Sequence, residues 1–249
     1  MALMKGRLHI GVGGWTYEPW RGLFYPVGLQ HARELEYASR QLTSIEINGS
    51  FYSTFKPESW AKWRDATPAG FVFAVKGSRY CTNRKDLSTA GESVERFVNQ
   101  GLAELGERLG PVLWQLAPTK VFHAEEIAAF LALLPREVAG LPLRHALEVR
   151  HASFALPEFF EIARRHRVAI VVADHDTYPK IEEATADFTY ARLMRSRAEV
   201  ETGYPAAELG AWAKKAKGWA RRGDAFVYVI AGAKERAPAG AVALIGRCG

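Results

Sequence analysis

The sequence predicts an α/β fold, a TIM-type (β/α)8 barrel forming a single domain over residues 1–249. Three observations carry that expectation. Strand-like and helix-like patterns alternate from end to end, as in folds built on a parallel sheet. The strand-like runs are apolar along their length and polar at their C-terminal ends, as expected where parallel strands deliver side chains to one mouth. The length of 249 residues also suits one barrel of about 250 residues better than two domains.

The elements follow in order. Leu8–Gly13 reads as the first strand, followed by an aromatic-rich loop and a helix over Arg33–Gln41. Thr43–Asn48 and Ser59–Asp65 give the second strand and helix, and Phe71–Lys76 the third strand, with a helix over Glu92–Arg108. Pro111–Leu116 with Ala124–Leu134 and Leu143–Arg150 with Pro157–His166 form the fourth and fifth units. Val168–Asp174 is the sixth strand. Thr177–Ala186 lacks a helical apolar period, so an irregular segment is expected in place of the sixth helix. Phe188–Arg192, Ala206–Ala220, Phe226–Ile230 and Pro238–Arg247 complete the alternation. No Gly/Ser/Pro-rich linker, repeat or low-complexity tract divides it.

Residues two apart on a strand share a face. Ile45 with Ile47, Leu147 with Val149, and Phe71, Phe73 and Val75 therefore face the outer helices. The opposite faces carry Glu46 and Asn48, Lys76, Glu148 and Arg150 inward. Gln115, Asp174 and Arg192 are assigned to the same mouth, Asp174 by parity with Val172 and Arg192 by parity with Tyr190. Three acids, Glu46, Glu148 and Asp174, would then meet three cations, Lys76, Arg150 and Arg192. One outcome is a self-satisfied polar cap, because an unpaired buried charge is costly. The other is a working site in which cations grip an anion while a carboxylate moves a proton.

The loops at that mouth are rich in aromatic and basic residues. The first holds Trp15, Tyr17, Trp20, Phe24 and Tyr25, the second Phe51, Tyr52 and Phe55, and the third Arg79, Tyr80, Arg84 and Lys85. Such a mixture can stack bases or sugars and hold phosphates, although large aromatics also pack loops onto a core. Trp15 and Tyr17, immediately beyond the first strand, are the candidates for ligand contact. Gly11, Gly13 and Gly14 lack the later glycine of a dinucleotide fingerprint and suit a tight turn or close backbone approach. The sequence has no phosphate-loop motif, no G-x-S-x-G elbow and no H-E-x-x-H. A divalent ion such as Mg or Mn on Glu46, Glu148, Asp174 and neighbouring His175 or Asp176 would need hard oxygen ligands. The nearby cations compete for those carboxylates, so no metal is assigned. His145 and His151 are read as orienting or surface groups.

Bulk properties narrow the classes. Cys81 and Cys248 are too few for a disulfide framework or thiolate metal site. Met1–Leu8 shows no signal pattern, and no apolar run approaches the roughly 20 residues of a membrane span, so a cytoplasmic protein without a membrane partner is expected. The net charge of +6 leans toward acidic ligands. Part of it, Lys214, Lys215, Lys217, Arg221 and Arg222, sits on or just past one helix, where solvent and the helix dipole suit cations.

The segments G-V-G-G-W-T-Y-E-P-W-R-G-L-F-Y-P, S-I-E-I-N-G-S-F-Y, T-P-A-G-F-V-F-A-V-K, G-P-V-L-W-Q-L-A-P, L-E-V-R-H-A-S-F and Y-A-R-L, in that order from about Ile10 to Ile245, resemble the YecE-like family, domain of unknown function 72. The resemblance implies an α/β barrel and no established reaction. It places the family's polar positions on Glu46, Asn48, Lys76, Gln115, Glu148, Arg150, Asp174 and Arg192. The chain departs from the family pattern at Met194 and Arg195, where R-L-H-G is common. Other departures are Ile230-Ala231-Gly232, where asparagine is common, and Thr82-Asn83, where T-H is common.

Three functions fit these residues. The first is an enzyme, a hydrolase or lyase without an organic cofactor, acting on a small phosphate- or carboxylate-bearing substrate. Arg150, Arg192 and Lys76 would bind the anion, Glu46 or Glu148 would be the general acid/base, and Asn48 and Gln115 would orient the substrate or stabilise an oxyanion. Glycoside hydrolysis suits the site less, since adjacent cations oppose the raised pKa a general acid needs. The second is a nucleic-acid-binding protein or phosphodiesterase, whose binding would fall steeply with salt. The third is a non-catalytic small-molecule sensor. The sequence sets no oligomeric state.

Overall fold

The inner strand faces and the outer ones bury different things, and that division organises the molecule. The computed structural model describes residues 6–249; the signal-pattern expectation for Met1–Leu8 falls largely outside them. Eight parallel strands form the barrel: β1 (Leu8–Gly13), β2 (Ser44–Ile47), β3 (Val72–Lys76), β4 (Leu109–Gln115), β5 (His145–Glu148), β6 (Val168–Ile170 continuing as Val172–Asp174), β7 (Thr189–Leu193) and β8 (Ala225–Val229). β1 pairs with β8 from Leu8↔Ala225 to Val12↔Val229 and with β2 on its other edge. The ring closes through β6, whose first half pairs with β5 and whose second half pairs with β7. The partner changes at Val171, whose N–H donates to Leu147 O at 3.0 Å.

Around the barrel lie α1 (Glu34–Gln41), α2 (Pro57–Asp65), α3 (Gly91–Val98), α4 (Ala124–Ala132), α5 (Pro157–Arg165), α6 (Ala206–Ala220) and α7 (Ala237–Cys248). As expected, the segment after β6 has no helix. It is held instead by Thr185, whose Oγ1 donates to Val168 O at 2.7 Å and accepts from the Ile170 N–H at 3.1 Å. The continuous helix expected over Glu92–Arg108 is overturned: α3 stops at Val98 and a 3₁₀ segment runs from Leu102 to Arg108. Gly101 causes the break. Its φ is +124°, and a Cβ there would come within 2.9 Å of the Pro57 backbone, so α2 and this turn approach too closely for any side chain.

Ile45, Ile47, Phe73, Val75, Leu147 and Val149 all join the layer between barrel and helices, as the alternation predicts. Inside, three tiers stack along the barrel axis. His9 lies flat on Phe226 at 4.5 Å near the N-terminal ends of the strands, where Arg144 pairs with Asp224 at 2.8 Å. Burial lowers His9 to about 4, so it remains a neutral ring. A middle tier of Ala74, Leu113, Ala146, Val171, Tyr190 and Tyr228 fills the bore, with Tyr228 and Ser44 hydroxyls 2.7 Å apart. The top tier is polar. His145, expected to be an orienting or surface group, is buried: its Nδ1 accepts from Trp114 Nε1 and its Nε2 faces Pro135 O, a core role that needs the neutral ring.

A hairpin of Glu137–Val138 and Leu141–Pro142 lies between α4 and β5. Its two-residue turn puts both exposed Ala139 (φ 47°) and Gly140 (φ 78°) at positive φ, as a type I′ turn requires. Alanine tolerates that region poorly and asparagine well. Ala139→Asn is expected to stabilise the protein by about 0.5 kcal/mol with ligand binding unaltered. A lower denaturation midpoint in the variant would contradict this.

Candidate functional site at the barrel mouth

The top tier is a continuous chain of ion pairs. Arg192, from β7, donates Nη2 to Glu46 Oε1 at 3.0 Å and Nε to Glu46 Oε2 at 3.1 Å. Its Nη1 reaches both Glu148 Oε2 and, at 3.2 Å, Gln115 Oε1. Arg150, just past β5, donates Nε to the other Glu148 oxygen and Nη2 to Gln115 Oε1 at 2.7 Å, and lies over the Tyr178 ring. Tyr190, one tier below, donates its hydroxyl to Glu46 Oε2 at 2.6 Å. Glu46 and Glu148 are fully buried and Arg192 is nearly so.

These neighbours set the protonation states. Burial is the largest influence on Glu148 and would push its carboxyl up. Arg192 and Arg150 together outweigh it and hold the group below the usual carboxylate range. Burial likewise opposes the Arg192 charge, but Glu148 and Glu46 more than restore it. Tyr190 is driven well up, first by burial and then by the Glu46 charge, so it stays a hydroxyl donor.

Asp174 does not belong to this chain, which corrects its assignment to the inner face. Val172 packs in the outer layer, while Val171 and Ala173 face inward, so Asp174 points outward. It accepts from Arg195 Nε at 3.0 Å and from the Tyr204 hydroxyl at 3.1 Å. The position at which the chain departs from R-L-H-G thus supplies the partner of Asp174.

Beside the ion-pair chain opens a cleft of about 580 Å³, lined by Trp15, Asn48, Tyr52, Phe55, Trp63, Lys76, Arg192, Ile230 and Lys234, among others. Its wall near β1 depends on Gly13, where a Cβ would meet Ile230 at 2.3 Å and Asn48 Nδ2 at 2.5 Å. Trp15 packs edge-on to Trp63 at 5.2 Å and lines the cleft. Tyr17, the other aromatic expected to contact ligand, packs edge-on to Trp20 instead, with Lys234 Nζ 4.2 Å over its ring. Asn48 lends Nδ2 weakly to Glu46 O at 3.4 Å, and its buried Oδ1 has no partner among the described residues.

Lys76 is the group whose state differs most from an ordinary side chain. It is 8% exposed, with Nζ 4.2 Å above the Phe51 ring. Among the described residues its Nζ forms no hydrogen bond and has no carboxylate within 4.0 Å. Burial first, and then the Arg192 charge, bring its ammonium down to about 8, against partial support from Glu46 and Glu148. Lys234, half-buried across the cleft, is also lowered by burial. Sequence reasoning missed Lys234, although its place four residues beyond Ile230 put it on the mouth loop of β8.

The family described as "Protein of unknown function DUF72" matches residues 9–249. The chain belongs to the DUF72 family. A DUF72 structure from Thermotoga maritima, TM1631, superposes with a TM-score of 0.80 at 24% identity, covering 96% of this chain and 98% of that one. Among curated DUF72-type relatives, UPF0759 protein YecE of Escherichia coli K12 is 29% identical over 150 residues, and UPF0759 protein YunF of Bacillus subtilis 26% identical over 159. Those alignments cover 59% and 62% of this chain and 50% and 54% of the relatives, so it matches about half the length of each. Outside the family, a B12-independent methionine synthase from Shewanella shares the fold at a TM-score of 0.56 and 12% identity. Among the described residues of this DUF72 chain, no helix is long and apolar enough to cross a membrane, and no three His, Cys, Asp or Glu residues cluster to hold a metal. The oxygens of Glu46 and Glu148 are already committed to Arg192, Arg150 and Tyr190.

Proposed function

We propose that this DUF72 protein is an enzyme that binds a small phosphate- or carboxylate-bearing substrate in the cleft at the C-terminal mouth of its barrel. One observation carries the reading: the two mouth acids are matched by two arginines, and the cations left over, Lys76 and Lys234, both face the cleft. A partly desolvated site with surplus positive charge attracts an anion far more strongly than an exposed one. The aromatic walls suit an apolar body on the same ligand. Barrel enzymes also work at this face. Arg192 and Arg150 act as the rigid floor, and the proton-moving role passes from the glutamates to Lys76, the group whose pKa of about 8 lies near neutrality.

The test is a thermal-shift panel of small phosphates and carboxylates, followed by calorimetry on the hits. Lys76→Gln is expected to weaken the best anion at least tenfold, about 1.4 kcal/mol. If no anion in the panel bound, or the variant bound as well as the parent, the reading would fail. The nucleic-acid alternative draws on exposed Tyr80, over which Arg79 stacks at 5.4 Å just beyond β3. It requires binding of labelled single strands that weakens steeply with salt. A sensor would bind its anion and leave it unchanged.

A further inference from the structure

Lys76 is placed to do more than hold charge. It ends β3 on the inner face and lines the cleft, yet among the described residues it lacks the carboxylate partner that every other charged side chain of the top tier possesses. A buried lysine with a purely structural role would be expected to have such a partner. Its neighbours are the Phe51 ring and the cleft, with the like charge of Arg192 on the same wall. Apolar enclosure beside another cation is the arrangement that favours a neutral, nucleophilic amine. Lys234 supplies a second cation for the ligand's anionic group, so Lys76 is not the whole of the grip. Asn48 lines the same cleft, and its buried Oδ1 has no hydrogen-bond partner among the described residues. The thiol nearest in sequence, Cys81, is no competitor: it is fully buried and pushed up to about 12 by that burial.

We infer that Lys76 is a carbonyl-attacking amine that forms an iminium with an aldehyde or ketone group of the anionic ligand held in this cleft. The inference rests on the anion-binding reading above and adds the second functional group of the substrate. The Nζ lone pair forms the C–N bond as the carbonyl π pair moves to oxygen. That oxygen takes up one proton from nitrogen and a second from solvent and departs as water, leaving C=N⁺H. No oxidant or reductant is needed. Substrates of this class are oxo acids and phosphorylated aldehydes or ketones, in which the iminium draws electrons from the neighbouring carbon.

The probe is glyoxylate, a minimal carboxylated aldehyde, with cyanoborohydride supplying hydride to trap the iminium as a carboxymethyl amine. Peptide mapping of the intact protein then compares Lys76 with exposed Lys56 and Lys214. At pH 7 a pKa of about 8 gives an amine roughly 300-fold more deprotonated than an ordinary lysine. Lower intrinsic nucleophilicity offsets part of that, so labelling of Lys76 at least about tenfold faster is expected. Inorganic phosphate should protect Lys76, and calorimetry measures its binding separately. Labelling no faster than at Lys214 would overturn the iminium, and with phosphate binding intact the anion reading would survive. Fast labelling without phosphate binding or protection would leave the amine chemistry standing and remove the anion reading.

Discussion

Arg192→Met is expected to destabilise the protein by about 3–5 kcal/mol, because it strips buried Glu46 of its cation and leaves buried Glu148 with Arg150 alone. For a chain of this size that is a fall in melting temperature of about 10 °C. The loss should shrink toward acid pH, where a stranded carboxylate can take a proton. Arg192→Lys should recover only part of it, since a single ammonium cannot reproduce a fork that meets Glu46 through two nitrogens and Glu148 through a third. A variant as stable as the parent would show that the ion-pair chain does not close the barrel top. The same geometry makes Glu148→Ala a poor test of catalysis. It would leave two arginines short of a partner, so lost turnover would not separate chemistry from folding.

Lys76→Met is expected to act in the opposite direction. The folded-state pKa of Lys76, about 8, lies below its ordinary 10.5, so between those values the unfolded chain binds more protons and stability rises with pH. Below about pH 8 both states are charged, and the fold carries the full cost of the buried ammonium, about 3 kcal/mol. Attraction to the Phe51 ring returns part of this. Lys76→Met should therefore be about 2 kcal/mol more stable at pH 7, with the gain vanishing toward pH 10.5. A stabilising substitution that weakens anion binding is the signature of a residue kept for function against the interest of the fold. Equal or lower stability at pH 7 would mean that Lys76 has a partner in solution.

The alternation of β2, β3 and β5 made Glu46, Lys76 and Glu148 legible as inward groups, because each strand has an unmistakably apolar opposite face in Ile45 and Ile47, Phe73 and Val75, Leu147 and Val149. β6 offered no such contrast. Val168–Ala173 is apolar on both faces, so the parity of Asp174 with Val172 carries no signal of which side it takes. The pairing of Arg195 and Tyr204 with Asp174 is a contact between different strands and loops, which periodicity cannot report. Charge sign identified the members of the mouth, but not which of them would pair. Arg192 reaches across the barrel to both acids and Arg150 turns back to Glu148, whereas Lys76 is left to Phe51 and the cleft. The broken helix at Gly101 was hidden for a similar reason: its cause is Pro57 and Trp60 on another helix.

Arg192 joins β7 to β2, β4 and β5, and Tyr190, Tyr228 and Leu113 fill the bore beneath it. The mouth is therefore a cup with a sealed base and one rim. On the proposed function, whatever enters past Trp15 and Tyr52 must leave by the same route, and a product that kept its anionic group would depart from the two lysines that the next substrate must reach. Turnover in such a vessel would be governed by release as much as by chemistry, with product competing directly against substrate. Any tuning of that exchange would fall on the loops of the rim, leaving the braced floor unchanged.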